Sequence, residues 1–502
     1  RTGGGLLKAT DLTYLLPEII LLLGAALVFV LDIVWLRRAA PERRLQWLPG
    51  IAIGVLLLAA LGLIPSQGQT ASVATMLRVD GFAIFFKALA LMGVALVISM
   101  AIPYLKGRTP FTGEFYALLL VTALAISLAV SATNLVMIYL SMEFLSITSY
   151  VLAGYFRHDR KSGEAALKYF LYGATASATM LYGMSLLYGA TGTTDLAQLS
   201  VVLGAGARGD LLWLITPAIV LLMAGFGFKA SLVPFHQWAP DTYEGAPTPV
   251  TAFLSTASKA TGFAILMRVF ITALGRGAIP GQWVPLLVAI AVLTMTLGNL
   301  TALRQTNIKR LLAYSSIAQA GYILIGVVAI VADGGRTFTG INGVLIYLLA
   351  YLFTNLGAFA VVTAIETVTG KVEIKDYAGL VRRAPWLAAL LLIFLLSLAG
   401  IPPTGGFLGK LYVFGAAVQV QMWVLLAIAA VNTVVAAFYY LNIVRYMFFT
   451  PAEEGAERIA TPPAFGAVLG ITAVVTVLLG LIPGPVIAWA SESARSLLAF
   501  LR

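Results

Sequence analysis

Residues 228–259 read FKASLVPFHQWAPDTYEGAPTPVTAFLSTASK, from Phe228 to Lys259, and pack two lysines, one histidine and four prolines between two long apolar runs. In water this would be an ordinary loop. In a bilayer no solvent hydrates an ammonium or satisfies the backbone groups that a proline frees, so such backbone persists only where it is enclosed or lines a polar path. The stretch is therefore expected to be the centre of a transport pathway.

The chain around it supports a membrane setting. It has 502 residues, 60% of them hydrophobic and 11% charged, with a mean hydropathy of +0.95, which excludes an ordinary soluble domain. Windows of about 19 residues predict an all-α polytopic membrane protein of about fourteen spans, the first over residues 14–35 and the last over 465–489. The first run lacks the short apolar core and small-residue cleavage site of a removed signal, so it reads as a membrane helix. The opening Arg1 is read as following a missing or processed start. A single transmembrane domain over residues 1–502 is expected: helices 1–3 in 1–112, a first repeat of helices 4–8 in 113–275, a second repeat of helices 9–13 in 280–450, and helix 14 in 463–502. With no cysteine, the chain holds no disulfide, iron-sulfur cluster or thiolate zinc site of its own.

The net charge of +11 would point to nucleic acid in a soluble protein; here it follows from topology. With both termini outside, alternate loops collect about nineteen lysines and arginines inside against eight outside, which satisfies the positive-inside rule. The expected seventh and twelfth spans are overlong and carry Pro234 and Pro402-Pro403 in their interiors, so each is predicted to be a broken helix. Five spans separate the breaks. An odd repeat length inverts the second copy relative to the first, the plan of many ion transporters.

Ionisable residues at membrane depth are functional candidates by default. Glu143 falls near the middle of the fifth span, where a carboxylate must be protonated or paired; the plain alternative is a neutral glutamate in an interhelical hydrogen bond. Lys229 precedes Pro234 by five residues, at the edge of a helix whose bonding the proline interrupts. Its pairing with Glu143, directly or through water, is expected. Lys259 stands among Ser255, Thr256, Ser258 and Thr261, which suit a hydrated path, and Lys410 follows the second break. Lysine fits such a role because it can give up its proton when desolvated, whereas arginine keeps its own. His236 either relays protons or holds the break together. Lys87 and Arg268, near span ends, are read as snorkelling to an interface, and His158 as solvated. The run Gly204 to Gly209 matches a dinucleotide fingerprint in letters only, since no strand precedes it. Glu453 and Glu454 form a loop charge cluster without metal-ligand spacing.

Several runs are diagnostic together: Ser141-Met-Glu-Phe-Leu-Ser, Glu164-Ala-Ala-Leu-Lys-Tyr-Phe-Leu, Pro234-Phe-His-Gln-Trp-Ala-Pro-Asp-Thr-Tyr-Glu-Gly-Ala-Pro and Asn307-Ile-Lys-Arg-Leu-Leu-Ala-Tyr-Ser-Ser-Ile-Ala. In them the chain resembles the antiporter-like membrane subunits of respiratory complex I, NADH-quinone oxidoreductase, most closely the subunit N branch. The resemblance covers nearly the whole chain. It implies fourteen helices with two inverted five-helix repeats and a proton path through Glu143, Lys229, Lys259 and Lys410. It also implies membership of an oxidoreductase translocase whose flavin, iron-sulfur clusters and quinone belong to partner subunits, this chain carrying no cofactor and no metal. Expected partners are the other membrane subunits, sister antiporter-like subunits among them, together with lipid, protons and, indirectly, quinone. No nucleic acid is expected. The location implied is a bacterial plasma membrane or an equivalent energy-transducing membrane, with both termini on the outer side. Family members often carry histidine where this chain has Gln319, which cannot exchange a proton; water or a hydroxyl such as Ser315 would bridge that point, or the path bypasses it. The alternatives are a subunit of a multisubunit sodium/proton antiporter and a purely structural subunit, the second disfavoured by so many buried ionisable groups.

Overall fold

The computed structural model describes residues 9–36, 41–205, 209–332, 339–452 and 458–499. Glu453, Glu454 and residues 206–208 of the glycine-rich run lie outside them. The described chain is almost entirely helical, as apolar runs must be where only the segment itself can satisfy backbone polar groups. Among the described residues the strands are Ala71–Val73 and Leu77–Val79, a short antiparallel hairpin. The protein is an all-α polytopic membrane protein.

Among the described residues twelve helices are long and apolar enough to cross a bilayer, from Leu16–Val34 to Ala464–Leu481. The stretches expected as the sixth and twelfth spans are not among them. The sixth is the 32-residue helix Arg160–Thr191, whose outward face mixes Leu167 and Leu171 with Tyr172, Thr175 and Tyr182. The twelfth is two half-length helices, Pro385–Ala399 and Gly405–Gln419. The expected break in the seventh is also present: Gly209–Ala230 ends, residues 231–237 turn, and a short helix Trp238–Gly245 follows.

Two helices run through the interior. Every residue from Thr248 to Ala273 is buried, and so is every residue from Gly340 to Ile365. The first begins with Pro249 in its opening turn, where a missing N–H removes nothing the helix uses. It is not regular: Leu254–Ser258 and Arg268–Ala273 are π-helical. The Ala252 carbonyl accepts both Ser255 Oγ at 2.8 Å and Thr256 Oγ1 at 2.7 Å, so side chains supply what the altered register loosens. Lys259 is the first residue after that bulge.

Lys87 and Arg268 correct the reading that they snorkel. Lys87 is 2% exposed and Arg268 1%. Lys87 Nζ lies 2.6 Å from Glu18 Oε1, which also accepts the Ser127 hydroxyl at 2.6 Å. Arg268 grips Asp80 with both arms of its guanidinium, at 2.6 and 3.0 Å, and donates to the Val130 carbonyl at 3.0 Å. Asp80 is fixed as the N-cap of Gly81–Leu105, accepting from the Ala83 N–H at 2.8 Å. A buried charge that meets a preorganised opposite charge has no need of an interface. Depth along one span could not reveal partners supplied by other helices.

Candidate functional site

Glu143, Lys229, Lys259 and Lys410 follow one course through the interior, with hydroxyl, amide and carbonyl groups between them. Lys229, 2% exposed, is the penultimate residue of Gly209–Ala230. Its Nζ donates to Ser146 Oγ at 3.1 Å. Glu143, half-buried on the same Leu135–Ala153 helix one turn earlier, accepts the Ser177 hydroxyl instead. Glu143 and Lys229 are therefore neighbours with a serine between them and form no direct ion pair. Tyr150 stands close by, its hydroxyl filling the notch left by Gly173, where a β-carbon would come within 1.8 Å.

The backbone of Lys229 packs against the helix that carries Lys259: a β-carbon at Gly262 would lie 3.1 Å from the Lys229 carbonyl carbon. Lys259, 1% exposed, donates to the Ser316 carbonyl at 2.7 Å and to Ser316 Oγ at 2.5 Å. Tyr243, on the short helix after the first break, has its hydroxyl beside both Ser231 and Ser316 without bonding either directly.

Ser316 and Gln319 are one turn apart on Ile308–Ala332. Gln319 Nε2 donates to the Leu398 carbonyl at 3.0 Å and to Tyr440 Oη at 3.2 Å, while its Oε1 accepts the Tyr347 hydroxyl. Ser315 bonds the same Tyr440 hydroxyl at 2.5 Å, so the hydroxyl expected near this point is present one residue-pair removed. Lys410, 4% exposed, completes the course: its Nζ reaches back across the second break to the Leu398 and Ala399 carbonyls at 3.0 and 2.8 Å. Those are terminal carbonyls of Pro385–Ala399, which lack helical partners. Gly400, at φ 88°, turns the chain there, and a β-carbon on it would strike the Lys410 side chain at 2.7 Å. Beyond Lys410 lies the Tyr322 ring, 5.1 Å from Nζ, and a hydrogen-bonded set of Tyr322, Asn299, Asn432 and Tyr439.

His236 does not join this course. It sits in the first break, 8% exposed, with Nδ1 bonded to nothing among the described residues. The break is held by other groups: Trp238 Nε1 donates to the Phe228 carbonyl at 3.0 Å and the Val233 N–H to Thr294 Oγ1 at 3.1 Å.

Sequence reasoning missed a second group, at the far end of the short helix. Asp241 accepts from Lys168 at 2.6 Å and Arg310 at 2.5 Å; Glu244 accepts from Lys161 at 3.0 Å and Arg310 at 3.1 Å. Burial raises the affinity of both carboxyls for protons, but the bonds from these cations outweigh it and hold both below their ordinary range. Lys309, 3% exposed, donates to the Ala246 carbonyl at 2.9 Å, which caps that helix. The signal was available: Asp241 and Glu244 are three apart, hence on one helix face, and the Asn307-Ile-Lys-Arg run supplies the matching cations. The tyrosines and asparagines carried no such signal, since neutral polar groups do not stand out in apolar helices.

With this geometry in view, comparison with known proteins is informative. Residues 132–436 match the family described as NADH:quinone oxidoreductase/Mrp antiporter, TM. The NADH-quinone oxidoreductase subunit N of Desulfitobacterium hafniense is 44% identical over 443 residues, covering 86% of this chain and 88% of the relative. The chain belongs to the subunit N family of NADH-quinone oxidoreductase. A chain of respiratory complex I from Thermus thermophilus has the same fold at a TM-score of 0.78, with 35% identity over 94% of this chain and 98% of that one. A chain of the Mrp complex from Dietzia sp. superposes at 0.82 with 22% identity, over 97% and 100%, a likeness of fold alone.

Proposed function

We propose that this chain is a proton-translocating membrane subunit of a complex I-type quinone oxidoreductase, carrying protons past Glu143, Lys229, Lys259 and Lys410. The observation that supports this best is the state of the three lysines. Each is at least 96% buried, each bonds a serine or a backbone carbonyl, and among the described residues none meets a carboxylate within ion-pair distance. Elsewhere in the same fold Lys87 and Arg268 show what a permanent buried cation receives, a carboxylate at 2.6 Å. Those two fixed cations are paired, and Lys309, buried without a carboxylate partner among the described residues, donates to the carbonyl that ends a short helix. The three lysines left with neutral acceptors along the course suit a proton that comes and goes, and lysine, unlike arginine, allows it.

In this mechanism Glu143 and Ser177 face Lys229 across Ser146, and movement of the glutamate toward the ammonium changes how readily Lys229 holds its proton. A charge on Lys229 then acts on Lys259; at an effective dielectric near 20, like charges about 7 Å apart repel by roughly 2 kcal/mol. Ser231, Tyr243 and Ser316, with water, offer the relay between them. Gln319 cannot ionise, so the step onward to Lys410 runs by the hydroxyls of Ser315 and Tyr440. His236 is not assigned a relay role.

The chain acts with the other membrane subunits of the complex, and the polar outward face of Arg160–Thr191 favours a protein neighbour there over lipid. Flavin, iron-sulfur clusters and quinone are assigned to partner subunits, and both termini to the outer side of the membrane. Residues 113–275 and 280–450 are read as inverted halves, on the strength of their two breaks. A sodium/proton antiporter role is the second reading, favoured by the Mrp fold likeness. NADH-driven acidification of proteoliposomes holding the whole complex tests both: it should proceed without sodium and fail in an assembled Lys259→Ala variant. Acidification that requires sodium would favour the second reading, and native acidification in the variant would overturn the path.

A further inference from the structure

Away from the proton course, a cavity of about 560 Å³ opens between two interhelical loops and is lined by Arg108, Phe111, Tyr155, Phe156, Arg157 and His158, among others. One loop joins Gly81–Leu105 to Thr112–Ser131, the other Leu135–Ala153 to Arg160–Thr191. Both lie at span ends, so the cavity is at the membrane surface. Its basic character is built in: residues 104–114 and 154–161 hold Lys106, Arg108, Arg157, Arg160 and Lys161 against Glu114 and Asp159. Asp159 is already engaged, capping Arg160–Thr191 through the Lys161 N–H at 2.9 Å.

Each guanidinium lies over an aromatic ring, and Arg108 also reaches Glu366, which leaves Arg157 as the one with its N–H groups uncommitted among the described residues. Arg108 lies 4.0 Å from the Tyr104 ring centre and 3.7 Å from Glu366; Arg157 lies 5.0 Å from that of Phe111 and, among the described residues, pairs with no carboxylate. Tyr155 fixes the Phe111 backbone by donating its hydroxyl to the Phe111 carbonyl. A stacked guanidinium keeps its N–H edge free for the oxygens of a phosphate. One turn along the chain from Phe111 a second, apolar cavity of about 530 Å³ begins at Glu114 and runs past Ala117, Leu118 and Val121 against Leu22 and Phe29. From Glu114 to Val121 a helix rises about 10 Å, toward the membrane interior.

We propose that these two cavities form one site for an anionic glycerophospholipid, its phosphate held by Arg157 and Arg108 and one acyl chain lying along the Ala117–Val121 groove. Basic pockets at the ends of membrane helices suit acidic headgroups, and an aromatic rim marks the depth at which those headgroups lie. The inference does not depend on the proton path.

The test uses the purified complex in nanodiscs of phosphatidylcholine with a minor fraction of phosphatidylglycerol bearing a photoreactive acyl chain. Labelling should map to residues 22–29 and 117–121, and unlabelled phosphatidylglycerol should compete while phosphatidylcholine and inorganic phosphate should not. Arg157→Gln should lower labelling roughly tenfold, as loss of a charge-assisted phosphate contact does, and Arg157→Lys only in part. Should Arg157→Gln prevent assembly, Leu118→Trp, which fills the groove from a partly exposed position, should lower labelling likewise. Equal competition by phosphatidylcholine would mean unselective boundary lipid. Displacement by inorganic phosphate would mean a free-anion site, and absence of labelling would mean the face is covered by a partner subunit. Any of the three would overturn the proposal, as would unchanged labelling in the Arg157→Gln or Leu118→Trp variant.

Discussion

The break at residues 231–237 keeps its lysine on the helix that ends there, whereas the break at 400–404 places it on the helix that begins there. The difference decides what each lysine touches. Lys229 points away from its own break to Ser146 on another helix, and the short helix beyond is held from outside by Lys309, Arg310 and Lys168. Lys410 turns back on its own break and bonds two terminal carbonyls of the preceding half-helix. An interrupted helix thus needs donors at its open end: the Trp238 indole supplies one to the Phe228 carbonyl at the first break, and Lys410 itself supplies them at the second. In the first break the proposed proton carrier takes no part in holding the open end; in the second one side chain would do both.

The largest effect should come from the residue between the breaks. Lys259→Arg keeps a positive charge but cannot release its proton, so in an assembled complex it should reduce proton pumping to background, as Lys259→Ala does. Native pumping in the arginine variant would make Lys259 a fixed charge, and the two breaks would then act without communicating through it.

The next test separates the breaks themselves. Lys229→Met and Lys410→Met should both impair pumping, but only Lys410→Met should loosen the helix pair around it. There the Ala399 carbonyl loses its side-chain donor, at a cost of about 1–3 kcal/mol, while the Leu398 carbonyl keeps Gln319. Hydrogen exchange should quicken over residues 385–419 in Lys410→Met and stay unchanged over 209–245 in Lys229→Met. Equal loosening would erase the distinction.

A smaller effect is expected at the entrance to the first break. Glu143→Gln still accepts the Ser177 hydroxyl but cannot ionise, so pumping and the coupled quinone reductase rate should fall with the complex assembled. Ser146→Ala removes the group standing between Glu143 and Lys229 and should have a milder consequence, since the carboxylate and ammonium can then approach through water. If Ser146→Ala equals Glu143→Gln, the serine and not the glutamate sets the state of Lys229.

These differences mark what a sequence can disclose. Both breaks were legible because Pro234 and Pro402-Pro403 interrupt runs too apolar to be loops, and the burial of Lys229, Lys259 and Lys410 was legible because they fall within apolar runs. Partners were not legible. Glu18 and Asp80 lie far along the chain from Lys87 and Arg268, so two permanent ion pairs read as snorkelling cations, and nothing near Lys309 in sequence reveals its acceptor, a backbone carbonyl 63 residues away. Pairing of Glu143 with Lys229, directly or through water, was inferred from their shared depth, which cannot see that Ser146 and Ser177 are the groups each one bonds. Gln319 looked like a gap in the path for want of an ionisable side chain, yet in the fold it links Ser315's partner Tyr440 to the carbonyl that Lys410 also holds.

The smallest effect concerns the cluster that frees Lys229 from holding its break. Asp241 and Glu244 have folded-state proton affinities lowered by Lys168, Lys161 and Arg310 in spite of burial. A carboxyl lowered on folding contributes stability that is present above its unfolded value, near 4, and lost as pH falls through the folded value. The clamp on Trp238–Gly245 should therefore be complete at neutral pH and release only in acid below about pH 4. The pairs are partly exposed, so solvent screening limits each to about 1 kcal/mol or less. Arg310→Gln takes one cation from both carboxyls at once. Corrected for intrinsic rates, hydrogen exchange at neutral pH should quicken over residues 238–245 and not over 405–419, and acid should add less further loosening than in the parent. The second half-helix is the internal control, because its donor is Lys410 and no carboxylate takes part. If acid loosens both half-helices alike, or Arg310→Gln leaves 238–245 unchanged, the first break is held by its Lys309 cap and aromatic packing, and the division of tasks at that break lies elsewhere than in its ion pairs.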